Sequence, residues 1–344
     1  MSRETIVLDH LGGREAAARL IGGRLEDVLI DSDAPRTGTI YRAVADRPVK
    51  GQGGMFLRTP DGPAFLRQVR GLAPGQVLLV QVTGQAEPGK ALPVTQKLLF
   101  KSRYAIVTPG APGLNVSRRI RDDDRRDVLI QIARSEMDGA EVGATEMGLI
   151  LRSSCADAAD EAIAEDIRAM ADLAAAVTGD AEGGAEVLTE GDGPHQLAWR
   201  DWTAPADVVT KPGGFEAEGV MDQLVQLSQA HVGLGNGASM YVEPTRALIA
   251  VDVNTGADTS PAAGHKANLA VARELPRQLR LRGLGGQITL DLAPMAKKDR
   301  RQLEDALRAA FRQDSSETAL VGWTPLGHYE LQRKRDRTPL DIRE

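Results

Sequence analysis

The sequence is poor in cysteine, in aromatic residues and in long apolar runs. Cys155 is the only cysteine among 344 residues. One thiol excludes a disulfide framework and a cysteine-based zinc site within one chain, and it fits a reducing cytoplasm. Aromatic side chains make up 3% of the chain, so two close together stand out. No apolar run is long enough to span a bilayer. The opening MSRETIVLDHLGG lacks the basic region and long apolar core of a secretory signal.

The chain is also short of positive charge, but only on average. Its formal net charge is −6, and within residues 155–193 Arg168 is the only base. Basic residues gather elsewhere, in SRRIR (117–121), RQLRLR (277–282), KKDRR (297–301) and QRKRDR (332–337). A phosphate polymer responds to a local patch, not to the sum. Each cluster is therefore either solvated surface or a candidate phosphate contact.

What is present is a change of pattern along the chain. Residues 1–35 read as strand (TIVLDH), helix (REAAARLI) and strand (RLEDVLID). From 36 to 100, short alternating segments separated by Gly/Pro turns predict a small antiparallel barrel. From 101 to about 175, strands and helices mix. VSRRIRDDDRRDVLIQIARSEM reads as a helix with Val128, Leu129, Ile132 and Ala133 on one face, and MGLILRSS as a buried strand. Residues 176–215 read as loops or a thinned-out subdomain.

The last third is the most regular. GVMDQLVQLSQAHV is helical, GNG is a turn, and SMYVEPTRALIAVDVN gives a hairpin. A helix over Lys266–Arg282, kinked or shortened at Pro276, precedes the strand GGQITLDL and a helix over Lys298–Arg312.

The stretch LIAVDVNTG carries the chemistry. In a strand, Val251 and Val253 face one way, and Asp252 and Asn254 the other. QITLDLAPM carries Asp291 near the end of a second strand. A helix crossing between them makes parallel neighbours possible, with both carboxylates at the sheet edge where open α/β sheets hold ligands. Two carboxylates without His or Cys on those strands suit Mg²⁺, which prefers oxygen and keeps several waters. The alternative is that both aspartates cap the turns that follow their strands. His265 is nearest this site in sequence and reads as a loop residue.

VDVNTG, RQLRLRGLGG, QITLDLAPM and PLGHYELQRKRDRTPL together resemble the ribonuclease E/G family, nearer its ribonuclease G branch. GTIYRAVADRPVKGQGGMFLR, NVSRRIRDDDRRDVL and GLILRSS extend the resemblance towards the N-terminus. The resemblance implies a multidomain α+β and α/β fold. Residues 1–35 and 176–215 would form a shortened RNase H-like subdomain, the latter segment otherwise a linker. Residues 36–100 would be an inserted OB-fold, 101–175 a 5′-monophosphate sensor region, and 216–344 a deoxyribonuclease-I-like catalytic domain.

It also implies a Mg²⁺-dependent cytoplasmic endoribonuclease cutting single-stranded RNA, in ribosomal RNA precursors and mRNA. Asp252 and Asp291 would hold the metal, with Asn254 assisting at the phosphate. Phe56, Phe65 and Lys90 would contact RNA; Phe56 and Phe65 could equally be barrel core. Arg152 and Ser153, bordered by Arg125, would sense a 5′-phosphate; Arg152 could instead pair with the acidic stretch after 155. A homodimer is possible, without the family's zinc link, because no CxxC is present, and with no membrane partner. The sequence departs from the family pattern in DLAPM, in PAAGHKAN and at Pro276. These departures leave open a divergent RNA-binding paralogue with weak or no nuclease activity.

Overall fold

A computed structural model describes residues 3–49, 53–69, 71–87, 89–137, 141–142, 145–260 and 262–340. Two compact units emerge, Met1–Asp31 with Ala206–Glu344, and Ser32–Pro205. Both mix helix and sheet, so the fold is α+β and multidomain.

The first unit begins with three antiparallel strands, β1 (Glu4–Leu11), β2 (Arg14–Ile21) and β3 (Arg24–Ile30). This corrects the helix expected over REAAARLI. Gly12 and Gly13, and again Gly22 and Gly23, all adopt positive φ. Such two-residue turns match the twist of a hairpin and fix strands on both sides. Ala16, Ala17 and Ala18 are then buried in the sheet. Helix propensity in the eight-residue segment yields to pairing along both edges.

The second unit opens with a closed five-stranded barrel. Its strands are β4 (Ile40–Val49), β5 (Gly54–Thr59), β6 (Gly62–Leu66), β7 (Val77–Val82) and β8 (Leu92–Thr95), joined in the order β4-β5-β6-β8-β7. Pairing of β4 with β7, from Ile40↔Gln81 to Val44↔Val77, closes it. Alternate residues such as Ala43, Leu57, Ala64 and Val80 fill the interior.

A second sheet follows, from β9 (Phe100–Lys101), β10 (Ala105–Pro109), β11 (Gly113–Val116), β12 (Glu141–Val142) and β13 (Thr145–Leu151). It packs with α1 (Asp123–Glu136) and α2 (Asp160–Gly179). The α1 helix starts later than its sequence pattern suggested, because the Asp122 side chain caps it by accepting the Arg125 N–H at 2.9 Å. Leu129 and Ala133 are buried, whereas Val128 is exposed. Residues 176–215, read as loops or a thinned-out subdomain, are not all loop: they hold the end of α2, β14 (Glu186–Thr189), which pairs with β4, and α3 (Pro194–Asp201).

The first unit resumes with β15 (Asp207–Val209), parallel to β1, then α4 (Gly214–Ala217) and α5 (Val220–Leu227). Its second sheet comprises β16 (His231–Gly235), β17 (Ala238–Pro244), β18 (Ile249–Asn254), β19 (Gly286–Asp291), β20 (Thr318–Trp323) and β21 (Tyr329–Arg333). The strand order is β16-β17-β18-β19-β21-β20. Helices α6 (Ala263–Leu281) and α7 (Arg300–Gln313) cover one face, burying Val251, Val253, Ile288 and Leu290 against Val271, Leu275, Leu303 and Leu307. Pro276 does not end α6, which runs five residues further, to Leu281. Among the described residues, no helix is long and apolar enough to cross a membrane.

Candidate metal centre and nucleic-acid contacts

Because α6 and α7 cover one face of the sheet, the alternate residues of its strands meet water. Asp252, Asn254 and Asp291 are exposed. Strands β18 and β19 are parallel, and Asp252 is the register partner of Asp291. Neighbouring strands lie about 4.8 Å apart, so the two carboxylates leave one sheet edge side by side. Asn254 Nδ2 donates a hydrogen bond to Asp252 Oδ2 at 2.8 Å. Two like charges so close repel, and a divalent cation offsets that repulsion.

The donor set fits a hard cation. It offers carboxylate oxygens on an open surface with room for water, as Mg²⁺ requires. Among the described residues, no three His, Cys, Asp or Glu side chains converge on one point. The chain thus presents an open carboxylate pair, not a closed cage.

The segment after Asp291 is held from α6. Asn268 is fully buried; its Nδ2 donates to the Ala293 carbonyl at 2.8 Å, and its Oδ1 accepts the Ala293 N–H at 3.0 Å. One turn earlier stands Gly264, where a Cβ would lie 1.9 Å from the Pro294 oxygen. Only glycine allows this approach. Gly264 and Asn268 of PAAGHKAN thus pack against Ala293 and Pro294 of DLAPM, which ties together two of the three departures from the family pattern.

His265 lies on α6, not in a loop, with Nε2 3.0 Å from Gln302 Oε1. Sequence reasoning missed His328, whose Nε2 is 3.7 Å from Asp291 Oδ1. It sits just before Tyr329, the partner of Leu290, so only the β19–β21 pairing reveals it.

Comparison with known proteins gives this geometry its context. Residues 100–206 and 207–336 match the Ribonuclease E/G family. The chain belongs to that family. A ribonuclease E from Nostoc sp. is 25% identical over 394 aligned residues, covering 97% of this chain and 56% of the relative. A ribonuclease G from Salmonella typhimurium is 25% identical over 397, covering 94% and 78%. A ribonuclease E from Escherichia coli is 26% identical over 305, covering 77% and 28%. The chain spans little more than half the length of the Nostoc relative.

In this member of the ribonuclease E/G family, Phe56 and Phe65 are cross-strand partners on β5 and β6. Their ring centroids are 5.2 Å apart, and the Arg47 guanidinium lies 5.1 Å from the Phe56 centroid. Both rings are half-buried and stand outside the barrel core. Lys90 Nζ pairs with Glu87 at 2.6 Å on the surface.

Arg152 and Ser153 follow β13, but the Arg152 guanidinium is engaged. It donates to the Ser102 carbonyl at 2.5 Å and to the Arg200 carbonyl at 3.1 Å, and it pairs with Asp201 at 2.6 Å. Its acidic partner is thus Asp201, not the stretch after 155. Arg200 and Lys101 also reach Asp201, at 2.8 and 3.3 Å. Burial opposes the charge on Asp201, but Arg200, Lys101 and Arg152 outweigh it and hold the carboxyl below the usual range. Arg125 donates to the Cys155 and Ala158 carbonyls and pairs with Asp160 at 2.5 Å, tying down the loop before α2.

Two of the basic clusters are largely internal. Arg277 and Arg280 bond to the Leu25 and Glu26 carbonyls, Arg333 pairs with Asp314 at 2.5 Å, and Arg337 with Asp27 at 2.6 Å. Arg118, Arg119 and Arg121, with Lys297 and Lys298, remain exposed.

Proposed function

We propose that this chain is a Mg²⁺-dependent endoribonuclease that cuts single-stranded RNA, of the type that matures ribosomal RNA precursors and starts mRNA decay in the cytoplasm. What carries the reading is the register pairing of Asp252 with Asp291 on an open sheet face, with Asn254 bonded to Asp252. Membership of the ribonuclease E/G family supports it. In this reading the barrel is an OB-fold set into an RNase H-like subdomain, and the Asp252 sheet belongs to a deoxyribonuclease-I-like domain.

Asp252 and Asp291 hold the ion through their carboxylate oxygens. When bound, Mg²⁺ lowers the pKa of water and offsets charge building on the phosphodiester. Asn254 spends one amide hydrogen on Asp252, which fixes that carboxylate, and keeps the other for a phosphate oxygen. Phe56 and Phe65 stack bases on the barrel's outer side, and Lys90 meets the backbone. Arg152 and Ser153, beside Arg125, receive a 5′-monophosphate. Arg152 must then share or release Asp201.

The test is cleavage of a 5′-monophosphorylated single-stranded RNA with and without Mg²⁺. Asp252→Asn and Asp291→Asn should each abolish cutting and calorimetric Mg²⁺ binding while RNA affinity in metal-free buffer persists. Neutral amides replace carboxylates poorly around this ion. Near wild-type cutting by both variants would reduce the pair to turn caps. A wild type that binds RNA but never cuts it would favour the RNA-binding paralogue. Arg152→Ala should erase preference for a 5′-monophosphate over a 5′-hydroxyl; an undiminished preference would remove Arg152 from that role.

A further inference from the structure

The open sheet face carries more than the carboxylates. Tyr241 on β17 is the register partner of Asp252, and His231 on β16 is the partner of Tyr241. Asp291, Asp252, Tyr241 and His231 therefore stand consecutively on four adjacent strands, all exposed. Tyr241 is 39% exposed. Its ring meets that of His231 nearly edge-on, with centroids 5.2 Å apart and planes at 67°. The core does not need either ring, because Met240 and Val242, on the other face of β17, fill it.

We propose that Tyr241, braced by His231, is the stacking platform for the nucleobase next to the phosphate that approaches Asp252 and Asp291. The proposal rests on the RNA-cutting function proposed above and adds a base-binding subsite to it. Strand geometry sets the reach. The Tyr241 Cα lies about 5 Å from that of Asp252 and about 10 Å from that of Asp291. That span is comparable with the distance from a backbone phosphate to its own base.

Charge explains why the platform is aromatic. Two carboxylates repel a phosphate chain, and a lysine or arginine beside Asp252 would pair with it and compete for its oxygens. A neutral ring anchors the strand without that competition. Stacking tolerates any base, because every base has a π-face. The edge-on contact with His231 restricts the tyrosine ring before RNA arrives, so less side-chain freedom is lost on binding.

The probe is a single-stranded RNA oligonucleotide carrying 2-aminopurine at one position at a time, bound in metal-free buffer. Wild type should quench one position, or two adjacent ones, beyond any quenching from the barrel. Tyr241→Ala should abolish that quenching and weaken binding roughly tenfold. Tyr241→Phe should retain both. An abasic residue at the quenched position should weaken wild-type binding by a similar factor and leave Tyr241→Ala unaffected. The same position dependence in all three proteins would overturn the platform while leaving RNA binding intact. No RNA binding by wild type would overturn both the platform and the RNA-cutting function. Because the readout is binding and fluorescence, loss of nuclease activity alone touches neither arm.

Discussion

Asn268 and Ala293 exchange two hydrogen bonds across 25 positions of sequence, one in each direction. Both lie at the carboxylate end of the β18–β19 pair, and Asn268 is fully buried. Asn268→Ala leaves a buried N–H and a buried carbonyl without partners, at about 1–3 kcal/mol for each group. Denaturant unfolding should show a loss of about 2–6 kcal/mol. Mg²⁺ affinity should fall as well, because the segment after Asp291 loosens. Stability within experimental error of wild type would show that water replaces the amide.

Phe56 and Phe65 stand outside the barrel core, so their loss should be felt by RNA more than by the fold. Phe56→Ala with Phe65→Ala should weaken single-stranded RNA binding at least roughly tenfold. The barrel's thermal midpoint should drop only modestly. Unchanged affinity in a folded double variant would exclude both rings from RNA contact.

Asp201 sits among Arg152, Arg200 and Lys101. Burial alone would raise its pKa, but the three cations win and lower it. A carboxyl with a depressed folded pKa contributes stability above its unfolded value of about 3.9 and loses it as pH falls further. Unfolding free energy should therefore decline with acid below about pH 4. Asp201→Asn should start less stable at neutral pH and show a flatter acid limb. Parallel acid limbs in the two proteins would contradict the assignment.

Cys155 is fully buried, and burial pushes its thiol up to about 11. Only the thiolate reacts with common thiol reagents. The native protein at pH 7 should therefore resist labelling, and denaturant should expose one reactive thiol per chain. Rapid native labelling would mean that the α2 region opens locally.

The sequence by itself determined the local features with strong periodicity or turn chemistry. The alternating segments of 36–100 do form a barrel, and VDVN does present Asp252 and Asn254 on one face. The glycine pairs beside REAAARLI were equally visible, but there helix propensity pointed the wrong way. A strand's identity depends on neighbours that a local window does not contain. Only tertiary structure decided the relationships between strands. Asp252 lies opposite Asp291, Tyr241 lies beside Asp252, and His328 comes near Asp291, because pairing register joins residues far apart in sequence. Likewise the charge clusters RQLRLR and QRKRDR read as surface or phosphate contacts, yet the fold commits most of their arginines to buried carbonyls and carboxylates. A guanidinium goes where unsatisfied acceptors are, and the chain's three-dimensional path creates those acceptors.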